Sequence, residues 1–116
     1  WEHNTHVGDA RYTDMAAAGM VNVGQLVREQ HGESDVVIVG FGTHAGHVIA
    51  GDEWGLPMRR MPVPEAREGS VEALLHAAGD GGDLLLAFDG SDDGGVNGLR
   101  APLPHRAIGV VYDPAF

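Results

Sequence analysis

Three short apolar runs constrain the fold of this chain more than anything else in it. Asp35-Val36-Val37-Ile38-Val39-Gly40-Phe41 is the strongest, followed by Leu84-Leu85-Leu86-Ala87-Phe88 and Ala107-Ile108-Gly109-Val110-Val111-Tyr112. Each run is continuous instead of alternating, the pattern of a strand buried on both faces. Their β-branched residues and the flanking Gly, Asp and Pro favour strand over buried helix.

Two helices are predicted between them. Asn22 is a good N-cap for Val23 to His31, with Gly32 closing the helix; Met20, Val23, Leu26 and Val27 form its predicted buried stripe. Ser70 caps Val71 to Ala78 ahead of Gly79, with Val71, Leu74, Leu75 and Ala78 facing inward. Met15 to Gly19 reads as a short helical turn and Met58 to Val63 as extended chain. Strands alternating with helices predict an α/β fold, a layered and largely parallel sheet with flanking helices. Ligands of such sheets collect beyond the carboxyl ends of the strands. Asp89 to Pro104, rich in Gly and Asp, reads as a mobile surface loop.

Composition narrows the function. The chain has 116 residues, enough for one domain with a modest core. Seventeen acidic against seven basic residues give a formal charge of −10, which argues against a nucleic-acid partner. No stretch is long and apolar enough to predict a membrane partner. The absence of cysteine removes disulfides, thiolate metal sites and cysteine nucleophiles, and fits a cytoplasmic protein. The chain opens at Trp1 within what reads as structured sequence and stops at Phe116 just after an apolar run. It is therefore expected to be a single partial domain over 1–116, part of a larger fold.

The densest chemistry lies between His3 and Arg11. His3, Asn4, His6, Asp9 and Arg11 gather two imidazoles, an amide, a carboxylate and a guanidinium at what reads as a strand end. Imidazole exchanges protons near neutral pH, a carboxylate can fix its tautomer, and an arginine can steady developing negative charge. The plainer alternative is a turn whose polar side chains are solvated. A second cluster, Thr43-His44-Ala45-Gly46-His47, follows the best strand, and the strand ends at 3–4 and 41–44 are expected to lie side by side.

Together the two His-x-x-His pairs (His3 with His6, His44 with His47) allow a metal-binding reading. It ranks second, because residues i and i+3 on a strand face opposite ways and no Glu stands between the partners. Asp89-Gly90-Ser91-Asp92-Asp93-Gly94 imitates the start of a calcium loop, but Arg100 stands where the closing Glu belongs. Neither a phosphate-cradling glycine loop nor a Gly-x-Ser-x-Gly elbow is found. His31, His76 and His105 read as structural or solvated.

Trp1-Glu2-His3-Asn4-Thr5-His6-Val7-Gly8-Asp9 resembles the His-Asn-x-His segment of the erythromycin esterase family. Further similar stretches follow in the family's order: Asn22-Val23-Gly24-Gln25-Leu26, Val39-Gly40-Phe41-Gly42-Thr43, Gly46-His47-Val48-Ile49-Ala50, Ala66-Arg67-Glu68-Gly69-Ser70, and Arg106 to Tyr112. Position 47 is His where the family often has Thr.

The resemblance implies a hydrolase without metal or other cofactor, in which histidine-activated water opens an ester or macrolide lactone. It implies that the general base and its partner Glu lie upstream, so the upstream half of the same protein is an expected partner alongside a small-molecule ester or lactone substrate. It assigns His3 and His6 as catalytic. Asn4, Asp9, Arg11, Thr43, His44 and Arg67 are the expected substrate-binding residues. The alternatives are a histidine-rich metal-binding module and a non-catalytic homologue.

Overall fold

A computed structural model of the protein describes residues 2–88, 99 and 101–114. Helix α1 is a single turn, Asn4–Val7, followed by 3-10 turns at Ala10–Tyr12 and Asp14–Ala16. Helix α2 runs Val23–His31, strand β1 Gly46–Ala50, strand β2 Arg59–Val63, and helix α3 Val71–Ala78.

Both longer helices begin where their caps predict, because capping is a local event. The Asn22 side chain accepts from the Gln25 N–H at 3.0 Å, and Ser70 Oγ accepts from the Ala73 N–H at 3.2 Å. Gly32 ends α2 at φ 89°, a left-handed value that favours glycine. The predicted extension over Met58 to Val63 is β2, which pairs antiparallel with β1, Val48 opposite Met61 and Ala50 opposite Arg59. Met61 and Val63 face in while Arg60 and Pro62 face out. With Ala50 and Tyr112 they make the core, against which Val48 and Ile108 pack. Gly51 joins the third apolar run through a single parallel bridge to Val111.

The layered, largely parallel sheet is not what forms. Among the described residues the only sheet is the two-stranded antiparallel β1–β2 pair. The runs at 35–41 and 84–88 enter no sheet: Val37 is 88% exposed, Phe41 73% and Leu85 89%. A strand needs a neighbour for its main-chain N–H and C=O groups, and none of the described segments lies along these two.

The predicted helix faces are also corrected. Met20, Val23, Leu26 and Val27 are all exposed, and α2 buries only Gly24. A Cβ on Gly24 would stand 2.1 Å from the Val7 carbonyl oxygen, so α2 lies hard against α1 there. Leu74 and Ala78 of α3 are exposed, and the side chain that α3 buries is Glu72, at 4% exposure. The 3-10 turn at Asp14–Ala16 stands where a helical turn over Met15 to Gly19 is predicted. The calcium-like motif and most of the predicted mobile loop lie outside the described residues.

Candidate active site

His3 stands at the N-cap position of α1, without a side-chain capping bond, and His6 sits within the helix, which brings the two imidazoles together on one turn. Their ring centroids are 6.1 Å apart, edge to face at 68°. This corrects the expectation that the segment is a strand end. His6 is about half exposed, and its Nδ1 lies 3.6 Å from the Glu2 carboxylate.

A four-residue helix has no stability of its own, so tertiary bonds hold this turn. On one side the Asn22 amide donates to the carbonyls of Thr5 at 2.9 Å and Gly8 at 2.6 Å. On the other, Asn4 meets residue 41, the adjacency expected of 3–4 and 41–44, although neither segment is a strand. Its Oδ1 accepts from the Phe41 N–H at 3.2 Å, and its Nδ2 donates to the Phe41 carbonyl.

A hollow of about 150 Å³ opens at this junction, lined by Glu2, His3, Asn4, Phe41, Arg106 and Ile108. Arg106 ties the far wall together. Its guanidinium donates to the carbonyls of His44 at 3.2 Å, Glu65 at 3.3 Å and Thr43 at 3.4 Å. Behind it lies a larger cavity of about 330 Å³, whose lining includes Arg67, Ser70, Glu72, His105, Arg106 and Tyr112.

The remaining expected site residues are dispersed. Asp9 is buried and takes a two-pronged ion pair from Arg11, Nε at 3.0 Å and Nη2 at 2.6 Å, while Arg11 also reaches Glu33 at 3.1 Å. The hydrogen bonds from Arg11, with a further one from Arg28, hold the Asp9 carboxyl down at about 2 against the opposing effect of burial. These charges fix the turn after α1 and do not line the hollow. Thr43 donates its hydroxyl to the Ala45 carbonyl at 3.2 Å. His44 stacks flat on His76, ring centroids 3.8 Å apart, and its buried Nδ1 has no hydrogen-bond partner among the described residues. Among the described residues no three His, Cys, Asp or Glu side chains gather closely enough to hold a metal ion, so the two His-x-x-His pairs do not converge.

The sequence reading missed Glu72, His105 and Arg106 as members of this neighbourhood. His105 Nδ1 lies 2.7 Å from Glu72 Oε1, and its Nε2 lies 3.3 Å from Asn4 Nδ2. A Glu on the predicted solvent face of α3 gave no local signal of a partner more than thirty residues away.

The model of the erythromycin esterase family matches residues 1–116, the whole chain. The chain belongs to the erythromycin esterase family. No solved structure matches it. The match supports a hydrolase of that family, and it covers both the His3–His6 turn and the Arg106 wall of the hollow. No helix among the described residues of this erythromycin esterase family member is long and apolar enough to cross a membrane.

Proposed function

We propose that His3 and His6 are proton-handling groups of a hydrolytic site that cleaves an ester or macrolide lactone by histidine-assisted attack of water, with no metal required. The observation that carries this reading is their placement. Two imidazoles on one face of a turn, with centroids 6.1 Å apart, can both reach a single oxygen atom between them. His3 also lines the hollow that a carbonyl group would enter.

In this reading the water-activating base and its partner carboxylate come from the upstream portion of the same protein. Water adds to the acyl carbon, the bond to the ester oxygen breaks, and the leaving alkoxide takes a proton. As charge develops on that ester oxygen, one imidazole donates a hydrogen bond to it and the other supplies the proton. Of the expected substrate-binding residues, Arg67 is the best placed for a larger substrate, because it lines the adjoining cavity.

The test uses the full-length protein and a panel of esters that includes a macrolide lactone. His3→Ala or His6→Ala should each lower kcat by roughly 10²–10⁴-fold with the fold intact. An unchanged rate in both variants rejects the assignment.

A further inference from the structure

The His3–His6 turn is anchored from a distance, and its outermost anchor is a carboxylate. The Asn4 amide orientation is fixed by Phe41, because its oxygen must face the Phe41 N–H and its nitrogen the Phe41 carbonyl. His105 Nε2 therefore faces an N–H donor and must present its lone pair. The ring proton then sits on Nδ1, which points at Glu72 Oε1 at 2.7 Å. That same oxygen accepts from the Arg106 N–H at 2.8 Å. The Glu72 side chain is 2% exposed and the imidazole 38%, so a buried carboxylate at Nδ1 and the Asn4 amide at Nε2 together hold the tautomer of a partly exposed ring.

We propose that Glu72 and His105 are positioning residues for the imidazoles at 3 and 6. The relay runs from Glu72 through His105 to Asn4, and from Asn4 to the Phe41 main chain. It joins α3 and the segment before the third apolar run to a turn that cannot hold itself together. Both residues line the larger cavity, but in this scheme they act on the imidazoles through Asn4, and His105 has both ring nitrogens engaged. The proposal rests on the reading of His3 and His6 as proton-handling groups only for its kinetic consequence, and its structural consequence stands apart.

The experiment uses the full-length protein. In the wild type, ring ¹⁵N shifts should show His105 as a single neutral Nδ1–H tautomer. Glu72→Ala should mix the tautomers, shift the His3 and His6 ring signals, and speed hydrogen exchange at the His6 and Val7 N–H groups. Glu72→Ala and His105→Phe should lower kcat by about 10–100-fold, the range for small misplacement of reacting groups, with KM changed less than about 3-fold. Glu72→Gln keeps an acceptor oxygen on His105 Nδ1 and should return kcat to within about 3-fold of wild type.

An Nε2–H tautomer at His105 in the wild type overturns the proposal without any variant. So does a Glu72→Ala protein whose His3 and His6 signals and exchange rates stay in place. If the wild type hydrolyses no ester while the ring signals respond as described, the hydrolytic reading fails and the positioning relay stands.

Discussion

The side chain of Asn4 meets the main chain of Phe41 much as a neighbouring strand would, accepting from its N–H at 3.2 Å and donating to its carbonyl. One amide thus replaces a ladder for the end of the 35–41 run, and it does so one residue away from His3. Asn4→Asp keeps the acceptor but removes the donor, leaving a carboxylate against the Phe41 carbonyl. A loss of about 0.5–1.5 kcal/mol is expected, the net worth of a hydrogen bond at an exposed pair. Urea unfolding of wild type and variant checks it, and equal midpoints at equal slopes would contradict it.

Gly24 offers a test in which two rules give opposite signs. In an exposed helix Gly→Ala stabilises by about 1 kcal/mol. Here the added carbon would lie 2.1 Å from the Val7 carbonyl oxygen and 2.6 Å from that of Gly8. Both are main-chain atoms of the turn that carries His6, so they cannot step aside cheaply. Gly24→Ala should therefore lower Tm and displace the His6 ring signal; a raised Tm would show that α2 does not press on α1.

How much of this was legible in sequence follows from how local each interaction is. Asn22 and Ser70 reach N–H groups three residues ahead, so both helices could be read from their caps. The helix faces could not. Glu72 is buried because His105 and Arg106 meet it from the far end of the chain, and nothing near position 72 announces that. The run at 35–41 has the composition of an inner strand, yet composition supplies only half of a strand; the other half is a neighbour. At the candidate site, the His3–Asn4–His6 cluster and its adjacency to residue 41 were legible. The spread of Asp9, Arg11 and His44 into separate contacts was not, since each is decided by partners elsewhere.

Acid should unmask the Asp9 network. Its carboxyl titrates at about 2 in the folded protein against an ordinary value of 3.8. A depressed carboxyl adds stability that is complete above the unfolded value and is lost as pH falls through the folded one. Stability should thus drop between about pH 4 and pH 2, and Asp9→Asn should remove that part of the slope while lowering stability at neutral pH. Denaturation midpoints at several pH values check it. Parallel pH profiles for the two proteins would contradict it.

The uncovered apolar runs make a further prediction. Val37, Val39, Phe41, Leu85 and Phe88 are each at least 59% exposed, and large exposed apolar area binds hydrophobic dyes and neighbouring molecules. These 116 residues alone should bind such a dye strongly, with Val37→Ser and Val39→Ser together weakening it. Weak dye binding by the unsubstituted chain would mean that these runs are covered.

The central claim is that His3 and His6 act together on one oxygen, and a double-mutant cycle in the full-length protein tests it most directly. Groups that act as a unit are non-additive. His3→Ala with His6→Ala should cost about as much in kcat as the worse single replacement. Multiplying losses would show two independent roles, and a double variant that hydrolyses esters at the wild-type rate would show that neither imidazole handles a proton in the reaction.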